Sequence, residues 1–223
     1  MSQDPYIQGW TFKKSREWSI LAPAVIFLIA LVRIILQTHW LTWIVLLISF
    51  ILLVLVLYFF RDPDRINQRA PNVFFSPGDG VVSDITDQTF AGQEYRRIGI
   101  FLSVFDVHIQ RSPVEGVVDF VEYQSGENHP AYDPAASDEN DQIAMGIRSD
   151  FGLIIVKQIA GILARRCVNF ARKNDRILSG QRFGLIKFGS RVELYLPMNT
   201  EISCSIGEKV YGGITALAEM KDG

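Results

Sequence analysis

The stretch FGSRVELYLP, residues 188–197, decides how the second half of this chain folds. From Val192 to Leu196 every second side chain is aliphatic, and the side chains between them are polar or aromatic. This period-two alternation predicts a half-buried β-strand, which Pro197 closes. A Gly-Ser pair lies at the start of the strand, and such a pair by itself indicates a bulge or a tight turn.

The remainder of residues 61–223 also favours β structure. The segments YRRIGIFLSVF (95–105) and GLIIVKQIAGILARRCVNF (152–170) are rich in branched and aromatic residues and are punctuated by glycine. The longer segment is also compatible with an amphipathic helix, but Gly161 and the β-branched content favour strands. The polar, proline-broken stretch 127–142 predicts a long loop, either a lid or a mobile excursion.

Two internal echoes suggest how these strands are arranged. SPGDGVV (76–82) recurs as SPVEGVV (112–118), and GQRFGLI (180–186) is loosely matched by GEKVYGGI (207–214). Each is a glycine turn that leads into a short apolar strand. The pattern predicts a mainly β, compact sandwich or barrel with quasi-symmetric halves, although common hairpin turns would produce similar echoes.

The amino-terminal quarter of the chain has a different composition. LTWIVLLISFILLVLVLYFF (41–60) is twenty residues without a charge, enough to span about 30 Å of hydrocarbon as a helix. ILAPAVIFLIALVRIIL (20–36) is a second, weaker span because it contains Pro23 and Arg33. A signal peptide is the alternative for this first span, but no small-residue cleavage site follows it. We therefore expect a two-helix transmembrane hairpin over residues 20–60.

Charges on either side of the hairpin predict its orientation. Basic residues precede the first span (Lys13, Lys14 and Arg16) and follow the second (Arg61, Arg65 and Arg69), whereas the intervening turn holds only His39. The positive-inside rule then puts both ends of the hairpin in the cytoplasm. The sequence thus predicts a cytoplasmic segment (1–19), the hairpin (20–60) and a mainly β domain (61–223) on the cytoplasmic side of the cell membrane.

Overall composition excludes some classes of partner. The chain is 48% hydrophobic and 21% charged with a formal net charge of -2, and no basic stripe indicates a nucleic-acid partner. Cys167 and Cys204 lack a CxxC spacing and neighbouring histidines, so we interpret them as two buried thiols and expect no metal site.

Few residues are candidates for chemistry. Of the three histidines, His39 lies in the membrane turn and His129 in the polar loop, so only His108 follows a strand that could hold it rigidly. A lone histidine of this kind is more often structural than catalytic. Asp79, between glycines in SPGDG, is equally compatible with a plain turn. Together, Asp79, His108 and Ser190 could form an activated serine.

Three motifs carry a family resemblance. SPGDG, FLSVFDVHIQRSPVEG and GQRFGLIKFGSRVELYLP, in this order and spacing after a membrane hairpin, resemble the phosphatidylserine decarboxylase proenzymes, in particular their short form. The resemblance covers essentially all of residues 61–223. Its most specific element is the Gly-Ser pair within IKFGSRV.

The resemblance implies a function for that pair. The chain would cut itself between Gly189 and Ser190, leaving associated large and small chains, and Ser190 would become a covalent pyruvoyl cofactor. The pyruvoyl carbonyl would form a Schiff base with phosphatidylserine in the membrane and decarboxylate it to phosphatidylethanolamine during phospholipid synthesis. Glycine suits the cleaved bond because the absence of a Cβ allows close approach.

The resemblance also assigns roles to other residues. Asp79 matches the family aspartate and His108 the first histidine of the family motif, and we expect Asp79 to orient the imidazole. Arg111 stands where longer members have a second histidine. Its fixed charge suits binding of a phosphate or carboxylate rather than proton transfer.

Two other function classes remain as alternatives. A serine hydrolase would use Asp79, His108 and Ser190 as a standing triad, although no GxSxG elbow is present. A non-catalytic, biotinyl-like β module on a membrane anchor would carry its modified lysine at Lys187. The sequence leaves open the oligomeric state, homo-oligomers included, and whether the lipid is ester- or ether-linked.

Overall fold

The computed structural model describes residues 18–36, 40–65, 70–127, 129–130, 133, 136–161, 167–186 and 190–221. The chain forms two compact units, residues 1–63 and 64–223. Several residues singled out above lie outside the described ones: Gly189, Lys187, His39, Arg69 and the basic residues of the first segment.

The first unit contains two helices, α1 (Trp18–Leu36) and α2 (Trp40–Phe59). Among the described residues, α2 is the one helix long and apolar enough to cross a membrane, and it carries no charged residue. In α1 the apolar part is shorter, Leu21–Ile34, and the helix contains Pro23 and Arg33. The two amino-terminal helices predicted from hydropathy are therefore present.

The second unit is built almost entirely of strands. In chain order they are β1 (Val73–Phe75), β2 (Gly80–Phe90), β3 (Gln93–Leu102), β4 (Ile109–Arg111), β5 (Gly116–Gln124), β6 (Gln142–Ser149), β7 (Gly152–Ala160), β8 (Cys167–Asn169), β9 (Arg176–Ile177), β10 (Arg182–Ile186), β11 (Ser190–Pro197), β12 (Thr200–Ile202), β13 (Lys209–Val210) and β14 (Ala216–Met220). One short helix, α3 (Ala136–Glu139), precedes β6. The mainly β prediction is confirmed.

These strands form three antiparallel sheets. The largest has the order β13-β2-β3-β11-β7-β6-β5-β9 and curls into a half-barrel. The two smaller sheets have the orders β1-β14-β12 and β4-β10-β8. Because β11 lies between β3 and β7, the strand that the sequence analysis opened on is at the centre of the main sheet.

Strand β11 is buried on both faces, whereas its alternation predicted burial on one. Its aliphatic side chains, with Ser190, face the hydrophobic core that the curled sheet encloses. Its other face carries Arg191, Glu193 and Tyr195, which are also buried. The alternation therefore separates a hydrophobic face from a buried polar face, not core from solvent.

The internal echoes correspond to matching local structures. The hydroxyls of Ser76 and Ser112 each donate a hydrogen bond to the carbonyl two residues further on, at 2.6 and 2.7 Å. Their own carbonyls each accept a hydrogen bond from a glycine of positive φ, Gly213 for Ser76 and Gly180 for Ser112. The two SP turns are therefore built alike, as the sequence repeat predicted.

The glycine that opens β2 gives a test of this packing. A Cβ added at Gly80 would lie 2.2 Å from the backbone oxygen of Phe101, and neither backbone can move away cheaply. We expect Gly80→Ala to lower the free energy of unfolding by about 1–3 kcal/mol, measured by denaturant titration. Gly92→Asn is the control, because no atom lies within 4 Å of a Cβ there and asparagine tolerates its positive φ. Equal stability of the two variants would contradict this packing.

Candidate active site

Ser190 is the first residue of β11 and the centre of the candidate site. It pairs with Leu102 of β3 and with Ala160 of β7, so strands hold it on both sides. The residue is 0% exposed, and its Oγ makes no hydrogen bond to any residue that the structure describes. A buried hydroxyl without a partner is costly, which makes it a candidate for chemistry rather than a structural group.

His108 is tied to the same region through the backbone. Its carbonyl accepts a hydrogen bond of 3.2 Å from the amide of Ile186, the last residue of β10. Ile186 is four residues before Ser190, so the Cα atoms of Ile186 and Ser190 are separated by at most about 15 Å. The candidate base is therefore bonded to the segment that leads along the chain to the candidate nucleophile.

A main-chain carbonyl orients the His108 imidazole. Nδ1 lies 3.0 Å from the carbonyl oxygen of Asp106, which can only accept a hydrogen bond. In the neutral ring Nδ1 therefore carries the hydrogen, and Nε2 is the basic nitrogen. The turn that carries this carbonyl is fixed by hydrogen bonds between Ser103 and Asp106 and by an ion pair of Asp106 with Lys209.

Asp79 has other partners than the expected one. Its carboxylate accepts two hydrogen bonds from the guanidinium of Arg65, at 2.5 and 2.7 Å, and one of 2.8 Å from the amide of Gly212. No hydrogen bond between the carboxylate and His108 exists among the described residues. Nδ1 of His108 faces the Asp106 carbonyl instead, and the orienting role of Asp79 stays a prediction.

Arg65 changes its interpretation as a result. The sequence analysis counted it among the cations that flank the membrane spans. In the structure its side chain is only 8% exposed and is bound to Asp79 and to the carbonyl of Gly212. It is a buried ion-pair partner within residues 64–223, and the sequence alone gave no signal that distinguished it from Arg61 or Arg69.

The turn that holds Asp79 nevertheless contacts the site. A Cβ added at Gly78 would lie 3.2 Å from the side chain of Val192, two residues after Ser190. The carbonyl of Pro77 accepts a hydrogen bond of 2.9 Å from the amide of Arg111. The SPGDG turn thus packs on β11 and binds the strand that follows His108.

Arg111 is buried, not displayed on an open surface. Its Nη1 donates a hydrogen bond of 3.2 Å to the carbonyl of Gly180, and its Cδ would lie 2.9 Å from a Cβ at Gly213. The side chain therefore contacts both of the glycine turns that define the quasi-symmetric halves.

Two buried glutamines support His108 and were missed from the sequence. The side-chain nitrogen of Gln110 donates a hydrogen bond of 2.9 Å to the His108 carbonyl. Its side-chain oxygen accepts a hydrogen bond of 3.0 Å from the side-chain nitrogen of Gln158. Gln158 lies opposite Val192 in the sheet, so this chain of amides links His108 to β11. Both glutamines lie in apolar segments, where isolated amides give no functional pattern.

The polar face of the sheet carries a second group of charges next to the site. A cavity of about 560 Å³ opens there, lined by Val81, Ser83, Asp84, Arg97, Phe101, Ser137 and Arg191. Lys157 lies on the same face, and burial lowers its pKa below the usual value. The charges of Glu193 and Asp138 oppose that shift.

The polar loop holds a group of side chains that the sequence analysis did not single out. Nε2 of His129 lies 3.1 Å from a carboxylate oxygen of Glu127 and 2.9 Å from one of Glu139. The three side chains together could hold a metal ion, although the sequence predicted no metal site. The loop is tied to the site end of β7, because the side-chain nitrogen of Asn140 donates a hydrogen bond of 2.7 Å to the carbonyl of Ala160.

Comparison with known proteins identifies the relatives of this chain. The model of the family described as "Phosphatidylserine decarboxylase" matches residues 52–218. A phosphatidylserine decarboxylase proenzyme of Carboxydothermus hydrogenoformans is 41% identical over 182 residues, covering 78% of this chain and 84% of that protein. One of Burkholderia ambifaria is 44% identical over 174 residues, covering 77% of this chain and 81% of that protein.

The Asp79–Arg65 pair yields a stability prediction. Arg65→Met leaves a buried carboxylate without its cation, and we expect the free energy of unfolding to fall by about 3–5 kcal/mol. The control is Arg148→Met, because Arg148 pairs with Asp119 but is 70% exposed, so the expected loss is about 0–1 kcal/mol. Denaturant titration of the full chain measures both losses. Losses of equal size would show that Asp79 is not a buried charge dependent on Arg65.

Proposed function

The chain belongs to the phosphatidylserine decarboxylase family, and on that premise we propose that it cuts itself before Ser190 and decarboxylates phosphatidylserine through the resulting pyruvoyl group. The observation that carries this proposal is the Ser190 hydroxyl, which is buried without a hydrogen-bond partner among the described residues. Relatives named as proenzymes fit a chain that is processed after synthesis.

The residues around Ser190 fit the formation of this cofactor. Oγ of Ser190 attacks the carbonyl carbon of Gly189, and the amide nitrogen is released as an amine while an ester forms. Loss of the Cα proton of Ser190 then expels the Gly189 carboxylate and leaves dehydroalanine. Its imine tautomer consumes one water and releases ammonia, which leaves a pyruvoyl group at residue 190. Because Oγ is not committed to another partner among the described residues, it is available to give its proton to a base as it attacks.

His108 is the proposed base for the first step. Nδ1 is held by the Asp106 carbonyl, so Nε2 is the nitrogen that can take the Ser190 proton. The imidazole is buried, and its backbone is fixed by Ile186 and by Gln110. A base whose ring and backbone are held in one orientation needs little rearrangement when the proton moves.

Asp79 contributes in this proposal through the turn it stabilises. With Arg65 and the Gly212 amide, its carboxylate fixes the SPGDG turn, which packs against β11 beside Ser190. Loss of the carboxylate would free this turn and leave Arg65 buried without a counter-charge. We therefore assign Asp79 to self-cleavage as a positioning residue.

The decarboxylation itself draws on the finished cofactor. The pyruvoyl group would supply a carbonyl that takes up the headgroup amine with loss of water and holds the electron pair left by carbon dioxide; a proton and the return of water would then release phosphatidylethanolamine. Arg111 is the proposed residue for holding the phosphate or carboxylate of the headgroup, because its charge is fixed at all working pH values.

The two chains produced by the cut would stay together. The small chain, residues 190–223, contributes β11 to the centre of the main sheet and β13 to its edge. It also contributes β14, which pairs with β1 of the large chain. We further propose that the amino-terminal helices hold the enzyme at the cell membrane with the catalytic domain in the cytoplasm, close to its lipid substrate.

The cleavage proposal is tested by removing the nucleophile. Ser190→Ala should remain a single chain and lack decarboxylase activity, because alanine has no oxygen to attack Gly189. Denaturing gels and activity assays on the purified full-length protein give the answer, with Ser149→Ala, at the half-buried end of β6, as the control that should still be cut. A cut or active Ser190→Ala enzyme would exclude Ser190 as the cofactor precursor.

A second experiment separates the roles of His108 and Arg111. His108→Ala should accumulate uncut chain, because no other imidazole shares its position. Arg111→Ala should be cut almost normally, while the processed enzyme needs a higher concentration of phosphatidylserine for half-maximal rate. Processing is scored on gels, and turnover is measured per processed molecule. Normal processing of His108→Ala would refute its role as base, and failed processing of Arg111→Ala would assign Arg111 to the cleavage step.

A further inference from the structure

Arg191, the second residue after the proposed cut, is held by several partners. Its Nε lies 2.8 Å from Glu193, and its Nη2 lies 2.7 and 2.9 Å from the two carboxylate oxygens of Asp84. Nη1 donates to the hydroxyl of Ser83 at 3.2 Å. Arg191 is 6% exposed, whereas Asp84 is half-buried and Ser83 is exposed.

The route of this side chain is built into the sheet. Gly99 of β3 pairs with Glu193 on one side and with Asp84 on the other, so the three residues form one row across three strands. A Cβ at Gly99 would lie 2.4 Å from Nη2 of Arg191. The absence of a side chain at Gly99 thus allows the guanidinium to cross β3 and reach β2.

The carboxylates that bind Arg191 are themselves fixed. Glu193 is fully buried and also accepts hydrogen bonds from Tyr195, at 2.8 Å, and from Ser137. Burial alone would raise the pKa of Asp84, but the hydrogen bond from Ser83 and the charge of Arg191 bring that pKa below its usual value. Asp84 therefore remains ionised at neutral pH, and the guanidinium has a fixed, charged partner on β2.

Self-cleavage makes such a tether necessary. Before the cut, Ser190 is held by the peptide bond to Gly189 as well as by β11. Afterwards residue 190 is the end of a chain and has lost its amide N–H, because that nitrogen leaves as ammonia. A strand end held by fewer hydrogen bonds frays, whereas a reacting carbonyl has to stay in one place.

We propose that Arg191 is a positioning residue that holds the new amino terminus of the small chain, and with it the carbonyl made from Ser190, in place after the cut. This inference rests on the proposed self-cleavage. Buried ion pairs add little net stability compared with apolar packing, and fixing one geometry is a use to which such pairs are well suited. The Arg191 side chain attaches the start of β11 to Glu193 of the same strand and to Asp84 of β2.

Arg97 offers a matched control within the same cluster. Its guanidinium also contacts Asp84, at 2.8 Å, and Glu193, at 3.2 Å, but it belongs to β3, far along the chain from the cut. Arg191→Met and Arg97→Met each remove one cation from the same two carboxylates. If the cluster served only to neutralise charge, the two variants would behave alike.

The experiment compares these two variants in the full-length enzyme with phosphatidylserine in detergent micelles. Arg191→Met should still be cut, but kcat per processed molecule should fall by about tenfold to a hundredfold, with little change in KM. Arg97→Met should lose much less kcat, and Arg191→Lys should recover part of the loss because it restores the charge without the fork. Hydrogen exchange of amides 191–194 should accelerate in processed Arg191→Met, but not in the uncut Ser190→Ala/Arg191→Met double variant.

The outcomes separate this inference from the proposed function. A wild-type enzyme that is never cut would refute both. A cut wild-type enzyme with unchanged kcat in processed Arg191→Met, or with an equal loss in Arg97→Met, would overturn the positioning role alone. If Arg191→Met does not fold, Asp84→Asn carries the same test from the other end of the ion pair, with the same expected division between normal cleavage and reduced kcat.

Discussion

Strand β11 has apolar side chains on one face and buried charges on the other. This difference between its faces fixes the register of the strand, on which the position of Ser190 depends. Because successive side chains of a strand point to opposite faces, a slip of one residue would move Arg191 into the hydrophobic core and Ser190 into the charged cluster. Both changes would be costly, since an unpaired buried charge is among the most destabilising groups in a protein. The register of β11, and with it the direction of the Ser190 hydroxyl, is therefore strongly specified.

The rest of the site is assembled around this fixed strand by main-chain groups. The Asp106 carbonyl orients His108, the His108 carbonyl holds Ile186, and the Pro77 carbonyl holds the amide of Arg111. Side-chain charges then stabilise the turns that carry these carbonyls, as Arg65 does through Asp79. The proposed reaction needs this rigidity on both sides of the bond to be cut, because attack by Ser190 and proton removal by His108 have to occur in one geometry.

Much of this could be predicted from sequence, and the remainder has identifiable physical reasons. The strand at 190–197 follows from a period-two pattern, the strand within 95–105 from its branched and aromatic residues, and the paired SP turns from a visible repeat. The Gly-Ser pair and His108 were recognisable because they belong to specific motifs. The partners were not: Arg65 and Arg191 look like ordinary cations in the sequence, and their burial depends on long-range pairing with Asp79 and Asp84 that no local pattern encodes.

The partners of Asp79 were hidden for a similar reason. A catalytic triad is an arrangement of side chains, so analogy assigned the orienting role to a carboxylate, whereas here a backbone carbonyl two residues before His108 faces its Nδ1. Main-chain groups carry no sequence signature, and their roles appear only once the fold is known. The half-buried prediction for β11 was wrong for a related reason, because charged residues in a strand indicate solvent unless their partners are known.

Intact mass spectrometry of the purified wild-type protein under denaturing conditions tests the central claim most directly. The account predicts two chains, residues 1–189 ending in an ordinary carboxylate and residues 190–223 lighter by one ammonia than the unmodified peptide. That mass should increase by two hydrogens after borohydride treatment, as reduction of a carbonyl requires. A single intact chain, or a small chain that begins with an ordinary serine amine, would contradict the conversion of Ser190 into the cofactor.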